Sequence, residues 1–407
     1  MDDKPRNLRT LLSEAKDTSE LMVDLAYAAV YFGDPEMADE VRDLEAVMTK
    51  LVADMRSLAV LAVRRPREAP AMGSVLQVIS AIERIANDAV NIARIVSHRL
   101  GIPQHLVVEL SGAEEVSHRV VVGDESELAH RTLVDLSLPI STGLRVLAIR
   151  GGNGWSTDVG GETILVPGDV LFLEGPPAGI SKIRVKAGAA PWVAPEDSEE
   201  SSPIDELDRA IDLLIEMKNM SETAVGLAYS ALVLGDRGLA AEVRHLEGLL
   251  DDMHDRLETW VLRAASANTD PSPLRGLLHL AAASEDIGDQ ASQMVMIVES
   301  GDDIHPVLGV ALAESDEIAM RIPIAETCVA EGQTLADLRL DVEPGFTVLA
   351  IRRGDVYRYR PSGRDVLSPG DEVIASGPDE GRERAAELFG WRLQTDPDTG
   401  EYSLIAL

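Results

Sequence analysis

The sequence predicts a multidomain protein of α and α+β class, a tandem duplication in which a three-helix bundle and a small α+β domain alternate twice with pseudo-two-fold symmetry. Three observations predict it. The first is a repeat: LAYAAVYFGDPEMADEVRDLE at 25–45 aligns without a gap on LAYSALVLGDRGLAAEVRHLE at 227–247, with 12 of 21 positions identical. The offset of 202 recurs between Glu83 and Glu285, between Thr132-Leu133 and Thr334-Leu335, and between Pro167-Gly168-Asp169 and Pro369-Gly370-Asp371. A repeat of this length sets the architecture before any single element is placed. The second is a change of apolar period after Pro103, from helical spacing to short alternating runs. The third is the segment APEDSEESSP at 194–203, acidic and Ser/Pro-rich, which has the composition of a solvated linker.

Each element follows in chain order. Leu8, Leu11, Leu12, Ala15, Leu21, Met22 and Leu25 lie close to helical spacing, which predicts a helix over 6–31 that Gly33-Asp34-Pro35 ends. Val41, Leu44, Met48, Leu51, Met55 and Leu58 predict a second helix over 36–64, closed by Pro66 to Pro70. A third is expected over 73–100, before Gly101 and Pro103. Three long helices with short connections read as an up-down bundle. The α+β part reads as strands HRVVVG, RVLAIRGG, ETILV and DVLFLEG, a short helix ELAHRTLVDL, and a hairpin turn at Gly151 to Gly154. The second copy repeats it as MRIPIA, QTLADLRL, TVLAIRR, DVYRYR and DEVIASG. The expected domains are 1–103 (helical), 104–190 (α+β), 191–203 (linker), 204–303 (helical) and 304–395 (α+β).

Composition narrows the function. Hydrophobic residues make up 45% but aromatics only 3%, so the cores are built from Ala, Val, Leu and Ile. The net charge is −33, and of 37 basic residues only six are lysines, at 4, 16, 50, 182, 186 and 218. No segment is basic in the manner phosphate backbones require, so nucleic acid is not an expected partner. The single cysteine, Cys328, excludes an intramolecular disulfide. MDDKPRNLRTLL lacks the basic-then-apolar order of a signal peptide, and no apolar run has the length of a membrane span, so a cytoplasmic protein is expected. The eight histidines are scattered, and neither GxSxG nor a Gly-rich phosphate loop is present. No enzyme and no catalytic residue is expected.

Two resemblances sharpen this. Thr132-Leu133, Leu136, Gly143, Val146-Leu147-Ala148-Ile149-Arg150-Gly151 and Val166-Pro167-Gly168-Asp169-Val170-Leu171, with Gly175-Pro176, resemble the C-terminal domain of TrkA-type potassium-uptake regulators, the RCK C-terminal domain. The second copy is similar through Thr334-Leu335, Gly345, Val348 to Gly354 and Ser368 to Val373. The helical part resembles a PhoU-type bundle, through Glu83-Arg84-Ile85-Ala86-Asn87-Asp88-Ala89-Val90-Asn91-Ile92 and Glu285-Asp286-Ile287-Gly288-Asp289-Gln290-Ala291. The chain is thereby identified as a tandem PhoU-like plus TrkA-C protein.

The resemblance implies a cytoplasmic ligand-sensing regulatory subunit, peripherally associated with a membrane cation transporter or channel for potassium or magnesium. The rival it implies is a PhoU-like metal-binding adaptor in phosphate-transport signalling. It implies a divalent metal ion or a cyclic dinucleotide as bound effector, and pairing of the TrkA-C copies as an internal pseudo-dimer or a homodimer. In PhoU-type bundles acidic pairs spaced by four residues share a helix face and suit hard cations, which makes Glu285 and Asp289 metal candidates; in the first copy Glu83 faces Asn87 at that spacing, a weaker site, with Asp88 adjacent, so Glu83 and Asp88 are the candidates there. The partner pair on the second helix is expected where Arg42 and Arg244 stand, and so reads as lost; a shifted register offers Asp39 and Asp43, with Ala241 and His245 in the other copy. Arg150, Arg352 and Arg353, at the end of the Val-Leu-Ala-Ile-Arg strand, are the candidates for an anionic ligand. The second copy, with Glu285, Asp289 and the doubled arginine, is the expected binding side.

Overall fold

The computed structural model describes residues 6–102, 113–152, 154–157, 159–191, 206–267, 271–272, 274–301, 304–395 and 402–407. The expected linker therefore lies, from 192 onward, outside the described residues. The chain divides into two compact units, one formed by 1–117 with 194–315 and the other by 118–193 with 316–407. The copies thus sort by type: the helical halves make one unit and the α/β halves the other.

In the helical unit, α1 (Leu8–Phe32), α2 (Pro35–Ala62) and α3 (Ala69–Ser97) form the first bundle. Asn7 starts α1 with a side chain that accepts from the Thr10 amide, and Gly33, in the left-handed region, ends it. Asp34 then caps α2 and Pro35 occupies its first turn. Pro70 likewise sits in the first turn of α3 and does not end a helix: α3 begins four residues earlier than the proline pattern suggested, because the first turn needs no amide donor there. The second copy builds α7 (Glu206–Leu234), α8 (Arg237–Ala267) and α9 (Leu274–Ser300), followed by the short α10 (Pro306–Leu312).

The bundles pack through α3 and α9, running antiparallel: Gln77 early in α3 donates to the Gln293 carbonyl late in α9, at 2.7 Å. A side chain at Gly276 would overlap the Gly101 carbonyl at 2.2 Å, so glycine permits that approach. Two of the six lysines are buried here, Lys16 and Lys218, each at 3% exposure. Each sits over a tyrosine ring of the other copy, Lys16 over Tyr229 and Lys218 over Tyr27, both at 5.1 Å. Each also pairs with a carboxylate one turn on, Glu20 at 2.7 Å and Glu222 at 2.5 Å. Burial pushes the Glu222 carboxyl up, against the pull of Lys218. A charge this deep holds only because it is paired, so the arrangement favours this one register of the two copies.

In the α/β unit the duplication extends to hydrogen-bond detail. The first sheet contains β1 (Val116–Val121), β2 (Arg145–Gly151), β3 (Gly154–Ser156) and β4 (Val170–Gly175) in the order β1-β4-β2-β3. The second contains β5 (Glu317–Pro323), β6 (Thr347–Arg353), β7 (Val356–Tyr359) and β8 (Glu372–Pro378) in the order β5-β8-β6-β7. Both have a register shift at the same place, Val146/Ala148 and Val348/Ala350. The short helices are α4 (Leu133–Leu136), α5 (Leu138–Thr142) and α6 (Pro177–Lys186) in the first copy, and α11 (Leu335–Leu338) and α12 (Arg382–Leu388) in the second. The ETILV run is not a strand: Ile164 makes a single bridge to Thr132, as Val366 does to Thr334. A closing hairpin of β9 (Trp391–Thr395) and β10 (Tyr402–Ala406) belongs to the second copy.

The two copies meet through glycines. Gly143, at φ +74°, lies so close to the Asp341 carbonyl that a side chain there would stand 2.2 Å from it; Gly345 approaches the Pro139 carbonyl in the same way at 2.6 Å. Asp341 and Pro139 themselves belong to the opposite copies, so the contact is reciprocal, as a pseudo-two-fold demands.

Candidate functional site

Glu247 and Asp251 stand one turn apart on α8, and Asp289 faces them from α9. These three carboxylates form the group, among the described residues, whose ligand atoms all lie within 4.8 Å of one another. The close packing of the two helices brings them there. Gly288, beside Asp289, has no side chain to hold the helices apart, and a Cβ in its place would stand 2.3 Å from a Leu250 methyl. Glu285, one turn before Asp289, completes the field. Burial pushes its carboxyl up to about 7, and Asp289, Asp286, Asp251 and Glu247 push in the same direction. Burial and then Asp251 raise both Glu247 and Asp289, while Arg244 pulls both down. His254 lies 3.7 Å from Glu285. The repulsion that remains beside Arg244 and His254 is relieved by a proton or by a cation, and an all-oxygen donor set suits a hard divalent ion.

Of the four sequence-derived metal candidates, the structure brings Asp289 and Glu285 to this cluster and leaves the other two apart. Glu83 ion-pairs with Arg56 at 2.6 Å. Its copy-equivalents of the cluster are Glu45, Thr49 and Asn87, which hold one carboxylate where the second copy holds three. Asp88 points elsewhere: it is 7% exposed and faces α9 of the second copy, where burial and then Asp286 push its carboxyl up to about 7, against Asn91 and Arg84. The expected loss of the acidic pair on the second helix is corrected. The pair is present three residues beyond Arg244, as Glu247 and Asp251, and its four-residue spacing, matching Glu285 and Asp289, was the signal that would have found it.

The strand-end arginines differ between copies. Arg150 lies over the rings of Trp155 and Phe172, at 5.5 and 5.7 Å. Arg352 binds Glu372 at 2.8 Å, where the first copy has Val170. Arg353 makes a two-pronged contact with Asp371, at 2.7 and 2.6 Å, which together with the Ser368 amide holds that carboxyl below its ordinary value despite burial. In the second copy, therefore, both guanidinium groups already have an internal carboxylate, and a bound anion would have to compete with it.

A PhoU domain model matches residues 12–96 and 214–298, and a TrkA-C domain model matches 118–188 and 319–390. No curated protein matches the chain. Among solved structures, PhoU from Pseudomonas aeruginosa is similar at 14% identity and a TM-score of 0.40, over 72% of this chain and 96% of that one. The GsuK channel bound to NAD is similar at 14% identity and a TM-score of 0.18, over 78% of this chain and 65% of that one. The GsuK RCK domain is similar at 13% identity and a TM-score of 0.17, over 77% of this chain and 78% of that one.

Proposed function

Since the chain is a tandem of PhoU and TrkA-C domains, each present twice and both regulatory and not catalytic in kind, we propose that it is the cytoplasmic regulatory subunit of a membrane cation transport system. Potassium is the favoured ion and magnesium the next. The observation that carries the reading is the reciprocal contact of the TrkA-C copies around Gly143 and Gly345. A paired sensor of this kind has an interface whose geometry a small effector can bias, and a bias between two arrangements is what regulation needs. Among the described residues no helix is long and apolar enough to cross a membrane, so on this reading the transport path belongs to a partner.

Titration calorimetry of the full chain against cyclic di-AMP and divalent cations, with co-purification from cell membranes, tests the reading. Binding of at least one effector together with a recovered cation transporter is expected. Failure of every effector and every transporter would overturn it. The acidic cluster favours one second reading, a metal-dependent adaptor of phosphate-transport signalling, which a pull-down recovering a phosphate-transport complex would support.

A further inference from the structure

The end of the first helical bundle where α2 turns into α3 carries a surface of opposite character to the rest of this acidic chain. Val60 and Leu61 on the last turn of α2 are 68% and 76% exposed. Arg64, Arg65 and Arg67 follow within six residues and are exposed. The turn is fixed: the Glu68 carboxylate accepts from the amides of Arg64 and Arg65 at 3.0 and 3.1 Å, so the backbone absorbs the only nearby acid of the connection. Among the described residues none of the three guanidinium groups has an ion-pair partner, although acids outnumber bases by 70 to 37 across the chain.

From this we infer that the α2–α3 tip is a docking surface for an anionic lipid bilayer. The chemistry argues for a bilayer over a protein groove, because the aliphatic side chains stand exposed on the last turn of a helix with exposed arginines beside them. That combination of a shallow apolar insertion with adjacent basic groups matches the interface between acyl chains and anionic headgroups. The net charge of −33 does not forbid it, because charges farther than the roughly 8–10 Å screening length contribute little at physiological salt. The same end of the second bundle differs. Leu262 is exposed there too, but Arg209 and Arg263 lie against the Trp260 ring at 4.8 and 4.9 Å, and Asp252, Asp255 and Glu258 stand on the turns before it. Since the bundles run antiparallel, the two ends point in opposite directions, and a flat surface engages one of them. The basic one is the first.

Flotation of the purified full chain with phosphatidylcholine vesicles, with and without phosphatidylglycerol, tests the inference. Binding is expected only to the vesicles containing phosphatidylglycerol, and it should fall steeply as salt is raised. Replacing Arg64, Arg65 and Arg67 by Glu together should weaken it by on the order of a hundredfold. Val60→Asp with Leu61→Asp should also remove it, and Arg263→Glu should leave it unchanged. All the altered side chains are at the surface, so circular-dichroism melts should match the unaltered chain; if a variant melts early, the salt titration of the unaltered chain decides. Absence of binding to either vesicle, equal binding to both, insensitivity to salt, or equal loss with Arg263→Glu would overturn the inference. So would retention in a cell membrane fraction by a chain that binds no vesicle, which would assign the tip to a protein receptor.

Discussion

The last turns of the two second helices, with the connections that follow them in sequence, carry opposite charge in the two bundles. Over 49–67 the first has Lys50, Arg56, Arg64, Arg65 and Arg67 against Asp54 alone; over 251–269 the second has Asp251, Asp252, Asp255 and Glu258 against two arginines. The buried faces diverged less, with Asp88 against Gln290 as one charge change among them. Tyr27 and Tyr229, Lys16 and Lys218, and the register of both sheets are retained. The difference teaches which part of a duplicated unit is constrained. Packing fixes the interior of both copies, because a change there costs roughly 1–5 kcal/mol, while an exposed helix face is free to specialise. One copy keeps a carboxylate cluster where the other holds Glu45, Thr49 and Asn87, and the connection after the first copy's second helix turns basic.

The largest effect expected from this asymmetry is on cation binding. Manganese titration of the full chain should show a single strong site, and Glu247→Gln or Asp289→Asn should weaken it by roughly ten- to a hundredfold. Glu83→Gln, the equivalent of Glu285 in the first copy, should leave it unchanged, since Glu83 is engaged by Arg56. Two equal sites, or equal sensitivity to Glu83→Gln, would break the comparison.

Much of this was legible in the sequence, and the places where it was not share a cause. The offset of 202 and the helical period placed all six long helices, since both are properties of many residues at once. The resemblance then assigned both domain types, as the family models show. What the sequence could not show was partnership across distance. Arg352 and Arg353 read as candidate anion contacts until Glu372 and Asp371 appear beside them, one on the neighbouring strand and one in the Pro-Gly-Asp turn. Asp88 reads as a member of its own copy's site, yet α3 turns it toward Asp286 of the other. The acidic pair on α8 lies three residues, nearly one helical turn, beyond the position expected at Arg244, so the expectation stops short of the right pair while staying close to the same face. The strand expected at ETILV failed for a different reason: its apolar residues serve single bridges beside the Thr132 cap, not a ladder.

The next effect concerns pH and again separates the copies, because the residue equivalent to Asp88 in the second copy is the uncharged Gln290. The groups that face Asp88 are Asp286 and Glu285 on α9 and Arg84 and Asn91 on its own helix. Its carboxyl titrates at about 7 when folded and near 3.8 otherwise, so the folded chain holds a proton that the unfolded chain has released. Stability is then full below about pH 4 and declines as pH rises toward 7, the reverse of an ion-paired carboxylate. Glu285, also raised to about 7, adds to the decline. Asp88→Asn should therefore stabilise the chain by about 1–2 kcal/mol at pH 8 and leave it nearly unchanged at pH 4. Thermal melts across that range check it, and an Asn variant less stable at pH 8 would show that Asp88 is charged and paired in the fold.

The smallest effect is one in which the copies should agree. Thr132 and Thr334 each cap a short helix, accepting from the Asp135 and Asp337 amides at 3.3 and 3.1 Å, and each bridges to the segment ahead of its Pro-Gly-Asp turn. Losing the capping oxygen costs about 1 kcal/mol when the rest of the turn is kept. Thr132→Ala and Thr334→Ala should thus lower stability by about that amount each, and by the sum when combined, because the two caps share no partner. In denaturant melts a difference well beyond the usual additivity error, roughly 0.5 kcal/mol, would mean that the copies have diverged in their interior as well. The Thr334 side chain also contacts the Asp337 carboxylate at 2.6 Å, so any small excess should fall on the second copy.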